Sequence, residues 1–398
     1  MAHPWLVPRA AYVHVPFCRT KCLYCDFNTY AGKDRWIPEY VAALAKEIVL
    51  GVEQPGGVAL RSVYFGGGTP SLLTLAQLRR LMDALRHGAG VAPEAEITLE
   101  ANPGTFGPAY LDGLRALGVN RLSLGAQSLD DETLRRLART HDAAQALGAV
   151  RLARAAGFRS VNLDLIYGLP WQTLLAWQDD LRVALEAQPD HISLYALMVE
   201  QGTPLATLVG RGRWDVPDQD AVADMYEAAL PVLRDAGFVH YEVSNWAKRG
   251  HESRHNLVYW RNEAYLGFGA GAHGYVQGVR AWNVRGIDEY VRRVGSHADP
   301  TEGSETLTAE AQMGETAAVA LRLPHEGIEF ARFRARFGVD PRERWDAELR
   351  ELRDAGLLAV DEQRARITER ALLVNSEIAA RFVSPAAEGP VQDSRVSS

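Results

Sequence analysis

Three cysteines, Cys18, Cys22 and Cys25, stand within eight residues (CRTKCLYC), and the 398-residue chain has no others. Thiolates are the usual ligands of iron–sulfur clusters. A cubane has four irons, so three protein thiolates leave one iron open. The amine and carboxylate of an amino acid suit such a vacancy. Zinc is the competing reading, but it prefers four protein ligands or three and a water. His14 could supply a fourth, although its alternating place in a strand makes the reach awkward. Three closely packed cysteines are a poor disulfide framework. They fit a reducing compartment, and the chain reads as cytoplasmic.

Other candidate residues lie where strands are expected to end. Gly66, Gly67 and Gly68 follow one strand; glycines there admit a ligand close to the backbone, or make a plain tight turn. Glu100 ends another, and a carboxylate there can accept hydrogen bonds from hydroxyl or ammonium groups. Further on, His255-Asn256-Leu257-Val258-Tyr259-Trp260 combines a histidine, a common heme ligand, with aromatic rings that could stack on a porphyrin. Alternatively, His255 and Asn256 bond their loop and Trp260 fills the core. Gly267, Gly269 and Gly271 have a dinucleotide-loop spacing without a βαβ unit around them, so a close-packed turn lining a pocket is the better reading. His273 beside them is a minor candidate for the site.

The elements that must position these residues alternate between strand and helix. Strands are expected at 11–15, 62–65, 96–100, 121–124, 161–166 and 191–196. Helices are expected at 38–50, 75–86, 108–117, 142–156 and 174–187. This rhythm implies a parallel sheet with helices outside it, and six units imply a partial or open barrel. Its strand ends form the rim where sites are built. Residues 296–305 read as a linker. Helices at 308–323, 328–337 and 341–355, a hairpin of 357–360 with 365–368, and a last helix at 369–382 then suggest a winged-helix-like domain. The stretch 384–398 reads as a disordered tail. The expected domains are 1–298 and 306–383.

The cysteine spacing after a first strand resembles the radical S-adenosylmethionine superfamily, including the aromatic Tyr24 before the last cysteine. The stretch Tyr12–Phe27, Phe65-Gly-Gly-Gly-Thr-Pro-Ser71, Glu100-Ala-Asn-Pro103, Arg121–Ser128 and Asp164–Thr173 are similar, in order, to the oxygen-independent coproporphyrinogen III oxidases and their relatives. The resemblance spans about residues 11 to 383. It implies an α/β fold, a partial (β/α)6-type radical SAM barrel followed by a small helical, winged-helix-like domain. It implies a [4Fe–4S] cluster on Cys18, Cys22 and Cys25 and S-adenosylmethionine held by Tyr12, Tyr24, Gly67, Gly68, Thr69 and Glu100. Gln127, Arg139 and Asp164 match further cofactor positions in the oxidases, where a second cofactor molecule binds; a surface Arg139–Asp164 ion pair is the alternative. Reductive cleavage of the sulfonium would need an electron donor to the cluster.

Two branches share these motifs: oxidases that decarboxylate coproporphyrinogen III, and heme chaperones that hand heme to acceptor proteins such as respiratory complexes. The oxidases carry a further cysteine two places after the third, where this chain has Phe27. The chaperones carry the HNxxYW motif matched by His255–Trp260, which implies heme as a ligand, with His255 as its candidate partner. These two features favour the chaperone branch, without decarboxylase activity. A DNA-binding regulator is disfavoured by the net charge of −7, and Arg332, Arg334 and Arg336 spread around a helix rather than form a face. With 47% hydrophobic and 23% charged residues the composition is globular. No apolar run approaches the roughly 18 residues of a membrane span, which leaves only peripheral membrane contact.

Overall fold

A computed structural model describes residues 3–51 and 59–383, so the expected tail lies outside the described residues. The chain forms two compact units: one runs to Tyr259 and resumes over Glu263–Glu305, and the other takes Trp260–Asn262 and the chain from Thr306 onward. Six parallel strands organise the first unit: β1 (Ala10–Val15), β2 (Leu60–Gly67), β3 (Val91–Ala101), β4 (Arg121–Gln127), β5 (Ser160–Tyr167) and β6 (His191–Ala196). Helices follow the first five, among them α1 (Ile37–Leu50), before β2, and α2 (Leu75–Gly88), before β3. A Thr74–Gln77 capping box starts α2, each residue's side chain bonding the other's backbone N–H.

Each strand divides its residues by parity. Val13, Val63, Phe65, Ile97, Leu99, Leu122, Leu124, Val161 and Leu163 are all buried. The intervening positions carry Tyr12, His14, Ser62, Tyr64, Glu96, Thr98, Glu100, Arg121, Ser123, Asn162 and Asp164. Register places them side by side: Tyr12 pairs with Tyr64, Tyr64 with Thr98, and Glu100 with Ser123, itself opposite Asn162. Successive strand residues point to opposite faces. One face therefore packs beneath helices, and the other is a polar interior. Arg121 donates to Ser160 Oγ at 2.9 Å, and Asn162 Nδ2 donates to Ser123 Oγ at 2.7 Å, so many of these buried polar groups find partners across strands, whereas Thr98 Oγ1 and Arg121 Nε have none among the described residues.

The sheet has nine strands rather than six and remains open. Beyond β6 lie two antiparallel strands, β7 (Val239–Glu242) and β8 (Asn245–Ala247), in the order β6–β8–β7. On the other edge β9 (Leu266–Phe268) runs parallel to β1. These short strands escape a periodicity reading because only three or four residues carry each pattern. A separate three-stranded sheet follows: β10 (His273–Val276), β11 (Val279–Asn283) and β12 (Thr301–Thr306). The expected linker at 296–305 is thus corrected: its second half is a strand, whose pairing outweighs its polar composition.

Glu47 of α1 fastens the turn that leads into this sheet. Its carboxylate accepts the Gly269 N–H at 2.8 Å, Asn283 Nδ2 at 2.6 Å and the Tyr290 hydroxyl. Burial pushes its pKa up to about 7 despite those donors. Removing the side chain leaves three buried donors unmet, so Glu47→Ala should cost about 3 kcal/mol or more in denaturant unfolding. The native state holds a proton here that the unfolded chain, with its ordinary value of 4.5, releases. This contribution is therefore complete below about pH 4.5 and lost as the pH rises to about 7. Glu47→Gln should flatten that part of the stability profile.

In the second unit a helix at Ala309–Ala320 precedes the strand Ile328–Glu329, helices at Phe330–Phe337, Pro341–Arg344 and Asp346–Asp354, and the hairpin Leu358–Val360 with Arg364–Ile367. Ile328–Glu329 pairs with the second hairpin strand, giving helices with a small antiparallel wing. The expected helix 341–355 breaks at Trp345, which turns its ring onto Phe333 and Phe382 at 5.5 and 5.4 Å. The expected last helix divides into a 3-10 stretch, Glu369–Val374, and Asn375–Ala380. Arg334 is paired with Asp340 at 2.7 Å, and Arg336 donates to the Asn262 carbonyl at 2.6 Å.

Candidate cluster and cofactor site

The cysteine loop leaves β1 through Pro16 and is closed at its base by parallel pairing of Phe17–Cys18 with Tyr30–Ala31. His14 ties it to the strand: its Nε2 donates to the Asn28 carbonyl at 2.9 Å, and its Nδ1 accepts the Tyr12 hydroxyl at 2.9 Å. With both nitrogens committed, His14 is corrected as a fourth metal ligand. Asn28 Nδ2 reaches across to the carbonyls of Ala270 and Arg285 at 3.0 and 3.1 Å. Tyr30 donates to the same Arg285 carbonyl at 3.0 Å.

Each cysteine sulfur meets a polar group from a different place. Thr69 donates to Cys18 Sγ at 3.6 Å, Arg139 Nη1 to Cys22 Sγ at 3.2 Å, and Thr29 Oγ1 lies 3.9 Å from Cys25 Sγ. All three thiols are unpaired and half-buried. They do not converge on one ion position; among the described residues no three His, Cys, Asp or Glu side chains do. A cubane asks for a different layout, one thiolate per iron. Arg139 also leaves its buried Nε without a partner. Soft sulfurs, donors directed at them and a spare buried cationic N–H together fit an anionic iron–sulfur cluster.

Arg139 is not on the surface and, among the described residues, pairs with no carboxylate. Its Nη2 donates to Asn102 Oδ1 at 2.7 Å and to the Gly125 carbonyl at 2.6 Å. Asp164 lies elsewhere, accepting Ser123 Oγ at 3.2 Å and Asn162 Nδ2 at 2.7 Å. Burial raises the Asp164 carboxyl, and those hydrogen bonds pull against it. The surface ion pair is thereby corrected. Asn102, two residues beyond Glu100, bridges Arg139 to Thr69, to which it donates at 3.0 Å. Sequence reasoning takes Asn102 for a turn signal; its place in the Glu100–Pro103 stretch is the clue to more. Gln127 ends β4 at φ 72°, just after a register shift, with its amide over Gly125. A non-glycine residue held there marks local strain of the sort found at ligand sites.

Glu100 faces the interior at the end of β3. It accepts the Tyr64 hydroxyl at 2.7 Å and the Gly67 N–H at 3.0 Å. Burial pushes its carboxyl up to about 7 against those two bonds, and Asp164 adds to the rise. Gly67 has φ 114°, and a Cβ there would sit 2.4 Å from the His14 ring, so both the turn and the packing require glycine. The N–H groups of Gly68 and Thr69 donate to Val15 and Phe17 carbonyls at 2.8 Å each. With all three glycine-loop N–H donors used, the loop offers a ligand acceptors, as does Glu100. An ammonium group suits both. Tyr24 packs against the apolar cluster of Leu137, Ile166, Leu169, Leu197 and Leu205.

A cavity of about 680 Å³ opens over this floor. Tyr12, His14, Gly67 and Glu100 line its base, Asp26, Phe27 and Asn28 of the cysteine loop one side, and His273, Trp282 and Arg285 another. Phe27 is 63% exposed, so its ring projects from the loop instead of filling core. His255 does not line the cavity as a free ligand. It is 1% exposed, its Nδ1 lies 3.1 Å from Ser62 Oγ, and its Nε2 lies 2.9 Å from the Tyr259 hydroxyl. Burial lowers its pKa to about 3, so the ring is neutral. In this conformation His255 is a buried polar bridge behind Tyr259, with both ring nitrogens engaged. The Gly267–Gly271 stretch is a close-packed turn: Gly269 lies on Tyr40 and Gly271 on Asn28.

The chain matches two family models, the Radical SAM superfamily over residues 12–183 and the HemN C-terminal domain over residues 307–374. It is 35% identical to the heme chaperone HemW of Bacillus subtilis, over 94% of this chain and 99% of that protein. It is 41% identical to the heme chaperone HemW of Mycobacterium tuberculosis, over 92% and 93%. Among solved structures it matches the coproporphyrinogen III oxidase HemN of Escherichia coli, a radical SAM enzyme. That match has a TM-score of 0.83 at 25% identity and covers 96% of this chain and 91% of that one.

Proposed function

The chain belongs to the heme chaperone HemW family within the radical SAM superfamily, and from that premise we propose that it binds heme beside a [4Fe–4S] cluster and passes it to acceptor proteins. Cys18, Cys22 and Cys25 would hold the cluster, which with S-adenosylmethionine supplies one-electron chemistry at the sulfonium. Glu100 and the Gly67–Thr69 carbonyls would take the ammonium end of the nucleoside. Tyr12 and Tyr24 would border it, and Gln127, Arg139 and Asp164 would serve as its further polar surroundings. Arg139 and Thr69 also hold charge on the cluster sulfurs. An electron donor and heme-accepting proteins, respiratory ones included, are the partners this role requires. Unpaired cysteines in such a site fit the reducing cytoplasm, and no helix among the described residues is long and apolar enough to cross a membrane.

The observation that carries this reading is the cavity of about 680 Å³ against the cysteine loop, walled by the projecting ring of Phe27. Its volume lies in the range of small-molecule sites. An aromatic wall suits a planar macrocycle held intact, whereas the oxidase resemblance would place a cysteine there. The test is paired. The anaerobically reconstituted protein should bind hemin in stoichiometric titration and leave coproporphyrinogen III undecarboxylated with reductant and S-adenosylmethionine present. Sustained decarboxylation would reverse the assignment.

A further inference from the structure

Heme iron needs an axial ligand. Three histidines lie at or beside the cavity: His14 and His273 line it, and His255 sits behind its Tyr259. Two of them have both ring nitrogens committed, His14 to Tyr12 and Asn28 and His255 to Ser62 and Tyr259. The third, His273, opens β10, is exposed and lines the cavity. Its ring makes no hydrogen bond among the described residues. It lies 5.8 Å from the Trp282 ring at an interplanar angle of 24°, on the paired position of β11. Its backbone is held in place: a Cβ on Gly267 would come within 1.9 Å of the His273 carbonyl oxygen, so only glycine lets the strand pass there. Partial burial lowers the His273 pKa, with Arg280 and Arg285 adding to it, which keeps the imidazole in its neutral, metal-binding form. Arg280 is paired with Glu305 at 3.3 Å, whereas the Arg285 guanidinium makes no ion pair among the described residues. Arg285 lines the same cavity.

We propose that His273 is the axial ligand of heme iron in this cavity, with Trp282 alongside the imidazole to fix the ring's orientation and Arg285 receiving a propionate carboxylate. The assignment rests on the heme-carrying role proposed above. A neutral imidazole ties the iron, an indole stacked beside it holds the imidazole in one orientation, and a guanidinium matches a carboxylate through two N–H donors. The site faces Asp26, Phe27 and Asn28 of the cysteine loop across the cavity.

Hemin titration of the reconstituted full chain, followed by the Soret band and low-temperature electron paramagnetic resonance, tests the assignment. His273→Ala should weaken hemin binding at least tenfold and remove the nitrogen-ligated spectrum, and added imidazole should restore it. Arg285→Ala should weaken hemin more than hemin dimethyl ester, whose carboxylates are masked. Iron content of each variant reports on its fold. His255→Ala should keep the nitrogen-ligated spectrum. A His273→Ala chain with unchanged affinity and spectrum overturns the assignment while leaving the heme-carrying role intact. A wild-type chain that takes up no hemin sinks both.

Discussion

A chain carrying Cys18→Ala, Cys22→Ala and Cys25→Ala should emerge from anaerobic reconstitution with neither iron nor acid-labile sulfide, and without the broad visible absorbance of the parent. The expected change is from full occupancy to background, because no other cysteine exists to substitute. His14 cannot compensate: releasing it for a metal breaks its bonds to Asn28 and Tyr12. Single replacements should act nearly as strongly, since a cubane with two protein thiolates has two exposed irons. Among them, Cys22→Ala also strands the Arg139 cation, which loses its sulfur acceptor at 3.2 Å. That variant should lose thermal stability as well as metal. Retention of iron and sulfide in the triple variant would remove the basis for the site.

Glu100→Gln should weaken S-adenosylmethionine about tenfold to a hundredfold. The substitution keeps the shape but removes the charge from a carboxylate that faces the cavity, and charge-assisted hydrogen bonds contribute about 1.5–3 kcal/mol. The pH dependence gives a sharper signature. In the free protein burial holds this carboxyl at a pKa of about 7, above its ordinary 4.5. A cationic ligand favours the ionised form, so binding lowers the pKa and releases a proton. Affinity should therefore rise as the pH passes upward through about 7 and fall below it. The Gln variant lacks this component, and ionisations of the ligand itself are common to both proteins. Equilibrium dialysis or calorimetry on the two proteins side by side isolates the difference. Parallel pH profiles would show that Glu100 does not meet the cation.

The cysteine loop is readable from sequence because its ligands are neighbours in the chain, and the same holds for Glu100 and the glycine run, which end strands with clear local patterns. What brings them together is not local. Tyr12, Tyr64 and Glu100 come from three strands, and only parallel register puts their alternate residues on one surface. Tyr64 is invisible as a functional residue from its own neighbourhood; it reads as one more apolar strand position. Arg139 and Asp164 illustrate the converse. Opposite charges invite a pairing, yet one is turned to sulfur and carbonyl acceptors and the other to hydroxyl and amide donors. His255 carries the right chemistry in the right motif, but burial behind Tyr259 decides its role, and burial follows from how Arg254–Trp260 docks on β2 and β3. Among the short strands, β8 and β9 are set by partners far along the chain, β6 and β1, and β7 and the β10–β11 hairpin are too short and too polar to give much warning.

The amide of Asn28 has a further consequence. It spans from the cysteine loop to backbone carbonyls on both flanks of the β10–β11 pair, and Tyr30 braces the same junction. Loss of the Asn28 amide, as in Asn28→Ala, would cut that tie and free the wall opposite to shift against the loop. The segment that presents the thiols and the segment that frames the cavity are thus yoked, so a displacement of either would be transmitted to the other.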